Sequence, residues 1–173
     1  MLSIETDRLL IRNFRPDDWQ ELQEMSIKYQ ASEAAKYEDR WPTSAEGVKG
    51  MAAWFARGDE YLAVCLKTSG KLIGLVAIDR RKQQGSRVHN LGYVFRPDYH
   101  GQGYAAEGCH AAMAHVFGEL AADGILTGTR LENATSVRLL ERLGLKPREG
   151  HPGEFTISRE EWLAQARRRR DVG

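Results

Sequence analysis

The sequence predicts an α+β fold, a central and mostly antiparallel twisted sheet flanked by helices. Three observations carry that prediction. Short apolar runs, several alternating with period two, recur along the chain with turns between them. Amphipathic stretches of helical period separate some of these runs. One strand-like run leads through a glycine-rich loop straight into a long helix and then a further strand, a crossover inserted into an antiparallel meander.

The elements follow in order. Leu9–Phe14 reads as a strand, with Leu10, Arg12 and Phe14 on one face and Leu9 and Ile11 on the other. Pro16-Asp-Asp18 opens a helix whose inward stripe is Trp19, Leu22, Met25 and Ile27. Lys36–Pro42 is a loop carrying Tyr37 and Trp41. Thr43-x-x-Glu46 reads as a capping box for a second helix, with Val48, Met51, Ala52 and Phe55 inward. Tyr61–Leu66 and Lys71–Ile78 form a hairpin about the turn Thr68-Ser-Gly70. Arg80–Gly85 is a polar, exposed connection, and Arg87–Phe95 is the next strand. The long helix after the glycine loop buries Cys109, Ala112, Met113, Val116, Phe117 and Leu120. Gly124–Leu131 is a strand, and Asn133 caps a helix that Gly144 and Leu145 end in a Schellman stop. Phe155–Ile157 is the last strand, and Ser158-x-x-Glu161 opens a C-terminal helix.

Composition narrows the function classes. The 173 residues suit one domain with a sizeable core, and 42% apolar with 28% charged residues is a globular profile. A net charge of +1 implies no bulk attraction to nucleic acid or membrane. Arg167–Arg170 is a local basic run, read as a solvated helix end or a phosphate- or partner-binding patch. Two cysteines, Cys65 and Cys109, are too few for a disulfide framework. No signal peptide and no membrane span is expected, so the expected location is cytoplasmic. His110 and His115 are five apart, far from one helical face, and no zinc signature surrounds them, so no metal is expected.

The densest information lies in Leu91–Leu120. A strand ends at Phe95, Arg96-Pro-Asp-Tyr99 turns, and His100-Gly101-Gln102-Gly103-Tyr104-Ala105 leads into the helix. Unpaired N–H groups and the helix dipole make such a start an anion site, and Gly101 and Gly103 let a phosphate approach the main chain. This loop resembles the acetyl-CoA loop of the GNAT acetyltransferases, Arg/Gln-x-x-Gly-x-Gly/Ala, with His100 at its first position. Three further stretches are similar to the RimJ/RimL-like branch of that family: Glu5–Arg12, Lys71-Leu-Ile-Gly74, and Asn133-Ala-Thr-Ser136 with Leu139–Leu145. They span nearly the whole of residues 1–173 in the family's order.

The resemblance implies a sheet splayed at the cofactor strand and a cofactor, acetyl-CoA, held by that strand and loop. Its diphosphate sits on the N–H groups of Gly101 to Ala105, and its pantetheine arm pairs with the Tyr93–Arg96 edge. The N–H that polarises the thioester is placed at Val94 or Phe95. Tyr93 and Phe95 are equally explained as core aromatics. Asn133 is a helix cap, and by resemblance also reaches the cofactor. Ser136 is implied to protonate the leaving thiolate, since Leu140 stands where many members carry a tyrosine acid; the alternative is an exposed serine without chemistry. The general base stays open between Asn90 holding a water, His89, and a carboxylate from elsewhere such as Glu154. Trp19, Trp41, Trp54 and Tyr37 are acceptor-pocket candidates, and Trp41, in a loop, is the best placed.

The expected activity is acetyl transfer to a primary amine, a protein N-terminus or a small molecule, by direct attack in a ternary complex. The alternative is a non-catalytic acyl-CoA-binding regulatory module, which the Asn at position 90 and Leu at 140 keep open. A nucleotide-binding protein of another fold would need a phosphate motif that is absent here. A homodimer is implied by family analogy alone.

Overall fold

A computed structural model describes residues 1–82 and 86–171. The strands are β1 (Ser3–Glu5), β2 (Leu9–Asn13), β3 (Tyr61–Leu66), β4 (Leu72–Ala77), β5 (Val88–His89), β6 (Gly92–Phe95), β7 (Gly124–Gly128), β8 (Lys146–Pro147) and β9 (Glu154–Ser158). The helices are α1 (Trp19–Gln30), α2 (Ala45–Phe55), α3 (Tyr104–Gly118), α4 (Ala134–Arg142) and α5 (Arg159–Asp171). One sheet runs β1-β2-β3-β4-β6, antiparallel throughout; the other runs β5-β7-β9-β8, with β5 and β7 parallel. This is the predicted α+β architecture.

The two faces of the first sheet follow from alternation along its strands. Leu9, Ile11, Leu62, Val64, Ile73 and Phe95 face one core beneath α3. Ala63, Cys65, Leu72, Leu75 and Val94 face the other, beneath α1 and α2. Gly74 sits between them for lack of room. A Cβ there would lie 2.6 Å from the Phe95 ring, whose far edge also packs 3.3 Å from where a Gly108 Cβ would be. Thus Phe95 joins β4 and α3 because both offer it a glycine.

The expected strand Arg87–Phe95 is divided. Val88-His89 pairs with β7 in one sheet, Gly92–Phe95 with β4 in the other. Asn90 and Leu91 hold the break. Asn90 N–H donates to the Asp79 carbonyl at 2.8 Å and its Nδ2 to Asp79 Oδ1 at 3.0 Å. The Leu91 carbonyl accepts from Thr127 Oγ1 at 2.9 Å. Beyond Leu91 the two sheets part. Within the described ladders β6 is the last strand of its sheet, so one edge stands open.

Smaller departures have local causes. The inward stripe of α1 is Leu22, Met25, Ser26 and Tyr29, and Ile27 points outward. Ser26 is buried because its hydroxyl donates to the Pro42 carbonyl at 2.6 Å. The cap of α2 is Ser44, whose Oγ accepts from Gly47 N–H at 3.2 Å, rather than Thr43. Leu120 lies past the end of α3 and is partly exposed. The seventh strand ends at Gly128, short of Leu131, which is exposed. The short edge strands β1 and β8 carry too little pattern to be read from sequence. At α4 the expected stop is present: Leu145 N–H donates to Leu140 O and Gly144 N–H to Glu141 O, with Gly144 at φ +92°. Ser158 and Glu161 bond each other's backbone N–H, a full capping box. Within the polar connection, Gln83, Gln84 and Gly85 lie outside the described residues. So do the side chains of Arg169 and Arg170; Arg167 and Arg168 are exposed on α5.

Gly74→Ala should destabilise the fold by about 1–3 kcal/mol, because the Phe95 ring and the Val94 carbonyl cannot both yield. Thermal unfolding should show a midpoint lower by several degrees, with the secondary structure retained.

Candidate active site

The parting sheets open onto a cleft of about 1060 Å³. That is the upper end of ligand-pocket sizes and suits a long ligand. Its walls are β6, the glycine loop, the start of α3, the start of α4, and the loop between α1 and α2.

The β6 wall presents backbone. Arg96 N–H donates to Ile73 O on β4, so by the alternation of a strand Val94 N–H also faces β4. The N–H groups of Tyr93 and Phe95 face the open edge. Val94 is therefore not the edge donor, and its side chain packs in the core beneath α1 and α2. Arg96 anchors the end of this strand. Its side chain is buried and donates to Glu24 on α1 at 2.6 and 3.0 Å.

The loop follows. Gly101 and Gly103 have φ of +73° and +82°, the left-handed region, and nothing lies within 4 Å of a Cβ placed on Gly101. Glu107 N–H makes the first helical bond, to Gly103 O at 3.0 Å. The N–H groups ahead of it, those of Tyr104, Ala105 and Ala106, have no carbonyl one turn earlier in the helix. His100 turns back, its Nε2 bonded to the Phe95 carbonyl at 2.8 Å, so its ring ties loop to strand. Gln102 bonds the Asp98 carbonyl at 3.2 Å and lies outside the cleft lining.

Across the opening, Asn133 caps α4, its Oδ1 accepting from Ser136 N–H at 3.3 Å. The cap sets Ser136 in the first turn, and Ser136 Oγ lies 2.6 Å from the Tyr93 hydroxyl. Burial pushes the Tyr93 phenol well above its ordinary range, so it stays protonated. A phenol thus stands beside Ser136 although α4 has a buried Leu140 where the resemblance implies a tyrosine in many relatives. The sequence reading gave Tyr93 a strand role and missed this one, because the partners are 43 residues apart.

The remaining candidates separate clearly. Asn90 and Trp41 line the cleft, and Trp41 packs 6.0 Å from Tyr29. Asn90 Nδ2 is taken by Asp79, which leaves Oδ1 to hold a water. Tyr37 also lines the cleft, whereas Trp19 and Trp54 do not. His89 is buried and bonded through Nδ1 to Ile78 O at 2.8 Å, outside the cleft lining, so it is not placed to act as a base. Glu154 is paired with Arg148 at 2.7 Å and is likewise outside. Glu38 was not foreseen. It lines the cleft in the loop after α1, within electrostatic reach of both Tyr93 and Tyr29. Burial, then the neighbouring Asp39, raise its carboxyl above the usual range, against a smaller pull from Arg130. A single loop carboxylate has no periodicity to announce it, so no sequence pattern marked this residue.

Neither cysteine lines the cleft; both are buried, and burial raises both thiols. Among the described residues no group of three or more His, Cys, Asp or Glu is arranged to hold a metal, and no helix is long and apolar enough to cross a membrane.

Comparison with known proteins agrees with this geometry. Residues 8–146 match the Acetyltransferase (GNAT) domain family. The sequence is 31% identical over 163 residues to YnaD of Bacillus subtilis (strain 168), named an uncharacterized N-acetyltransferase, covering 93% of this chain and 92% of that one. A GNAT-family acetyltransferase from Bacillus anthracis superposes with a TM-score of 0.79 at 27% identity, over 92% of this chain and 99% of the other. The ribosomal-protein-S5-alanine acetyltransferase from Vibrio fischeri shares the fold, with a TM-score of 0.77 at 16% identity, over 94% and 99% of the two chains.

Because Cys65 and Cys109 are buried away from the cleft, thiol-alkylating reagents should leave the native protein unmodified. Intact mass after brief exposure to iodoacetamide should be unchanged, and mass should rise by two adducts only after unfolding.

Proposed function

The chain belongs to the GNAT acetyltransferase family, and on that premise we propose that it moves an acetyl group from acetyl-CoA to a primary amine, by direct attack in a ternary complex. It is an acyltransferase by family. The finer reading rests on one observation: a left-handed glycine loop at a helix start lies beside an open strand edge, with a hydroxyl pair across the gap.

The residues present fit acetyl-CoA. The N–H groups of residues 101–106 offer a cradle for its diphosphate, and the open space at Gly101 admits a phosphate where a side chain would intrude. The Tyr93 and Phe95 N–H groups suit the amides of an extended arm and the thioester carbonyl. When bound, the cofactor supplies an acyl carbon attached to a thiol leaving group. This chain's own residues must then take one proton from the amine and give one to the departing sulfur. Ser136 is the donor, the Tyr93 phenol 2.6 Å away hydrogen-bonds its oxygen as the proton leaves, and the pair regains that proton from solvent as the products depart. Glu38 is the acceptor of the amine proton, directly or through a water on Asn90. Trp41 and Tyr29 wall the amine side. With a phenol beside Ser136, the leucine at 140 no longer favours a non-catalytic binding module.

The acceptor is a protein N-terminal amine or a small-molecule amine. The first is supported by the similarity of four stretches to the RimJ/RimL-like branch. A cytoplasmic site of action is consistent with this chemistry.

Thiol release from acetyl-CoA, measured over a panel of small amines and short peptides with free N-termini, tests the reading. Wild type should turn over at least one acceptor, and Ser136→Ala should lower kcat by about 10²-fold or more. Tyr93→Phe should lower kcat in the same direction, and combining it with Ser136→Ala should add little, as expected of one proton route. Gly103→Val should abolish acetyl-CoA binding, because φ +82° disfavours a β-branched residue and its Cβ would lie 3.3 Å from Arg8. Unchanged affinity in that variant would contradict the cradle.

The pH profile gives a separate check. A base must be ionised to act, and the Glu38 carboxyl titrates above the usual carboxylate range. The rate kcat/KM should therefore fall as pH drops through that raised value, earlier than an ordinary carboxylate would give. Glu38→Gln should lower the rate and remove this acid limb. An unaltered profile would exclude Glu38 as the base.

A further inference from the structure

An acidic residue stands in the first turn of the helix whose start is the proposed anion site, outside the cleft lining itself. Glu107 lies in the first turn of α3, beside the N–H groups of the proposed diphosphate cradle. Alone, its charge would offset the positive end of the helix. It is not alone. Arg8, in the turn between β1 and β2, donates through Nε to Glu107 Oε2 at 2.7 Å and through its backbone N–H to Oε1 at 3.0 Å. Thr6 Oγ1 donates to Oε1 at 2.6 Å. The rest of the Arg8 fork reaches the loop itself: Nη1 donates to the Gln102 carbonyl at 3.0 Å, and Nη2 lies 3.3 Å from where a Gly103 Cβ would be. The guanidinium also stacks over the Tyr104 ring, 4.3 Å from its centroid. These bonds hold the Glu107 carboxyl below the usual range against the opposing effect of burial.

We infer that Arg8 is a positioning residue for the anion loop, cancelling the Glu107 charge while holding the Gln102 carbonyl between the left-handed Gly101 and Gly103, so that the loop accepts a diphosphate. This rests on the reading of the loop as a coenzyme A cradle. Glu107 has a mechanical use, fastening the β1–β2 turn to a helix about a hundred residues away in sequence. The fastening brings a negative charge within one helical turn of the proposed anion site, and Arg8 neutralises it there. The arginine fork suits this work because it meets a carboxylate, a carbonyl and a ring face at once.

The test is a double-mutant cycle read by calorimetric titration of coenzyme A into the full-length protein. Arg8→Ala should weaken binding about tenfold or more, since it leaves an uncompensated carboxylate within one helical turn of the phosphate site. Adding Glu107→Gln to Arg8→Ala should restore most of that loss. Arg8→Lys, which keeps the charge but not the fork that reaches Glu107, the Gln102 carbonyl and the Tyr104 ring together, should bind more weakly than wild type yet clearly better than Arg8→Ala, and it keeps the idea testable if Arg8→Ala fails to fold. The Arg8→Ala defect should also shrink as salt is raised. If the double variant binds as weakly as Arg8→Ala, or more weakly, the clamp is only mechanical and charge cancellation is wrong. If Arg8→Lys loses as much as Arg8→Ala, charge is again not the cause. If wild type itself fails to bind coenzyme A, the functional reading falls instead, whatever the variants do.

Discussion

The site exists because β5 and β6, adjacent in sequence, pair in different sheets. Two hydrogen bonds from Asn90 to Asp79 and one from Thr127 to Leu91 hold the parting point. From there the backbone of β6 has a satisfied side, toward β4, and an unsatisfied one, toward the cleft. Exposed strand edges are ordinarily a hazard, and proteins cover or blunt them. Here the edge lies inside a cleft, where an extended ligand can pair with it as a strand would. The parting also separates β6 from α4 by just the reach of a tyrosine, which brings Tyr93 to Ser136.

The geometry of β6 is fixed from several sides. The Phe95 ring fills the space that Gly74 and Gly108 leave. Arg96 is buried against Glu24, and its main chain bonds Ile73. His100 grips the Phe95 carbonyl. A buried arginine is costly unless paired, and the half-exposed Glu24 supplies that pairing. The strand thus enters the glycine loop at a set position. Rigid support of this kind is what a catalytic arrangement needs, since small misplacements of reacting groups cost large factors in rate.

Much of the fold was legible in the residues. Period-two runs located β2, β3 and β4, and helical spacing located α1, α2 and α3. Gly144 and Ser158 marked their helix boundaries through chemistry that acts over a few residues. The division of 87–95 was not legible, because Val88 to Phe95 is locally one extended segment and its break is enforced by Asp79 and Thr127, remote in sequence. The site divides the same way. The glycine loop and the Asn133 cap are local motifs and could be read directly. The Tyr93–Ser136 contact, the Arg8–Glu107 clamp and the place of Glu38 are tertiary facts, made by packing rather than by spacing. His89 looked suitable by residue type and was removed by the direction of its side chain, which only the fold decides.

Catalysis of this kind requires a ligand lying along β6 with its diphosphate at the head of α3. Amide hydrogen exchange, resolved by residue and measured with and without millimolar coenzyme A, tests it most directly. Exchange should slow at Tyr93 and Phe95 and through residues 101–106, with little change in β2 and β3. Unchanged exchange in both segments, or protection confined to another part of the surface, would contradict it.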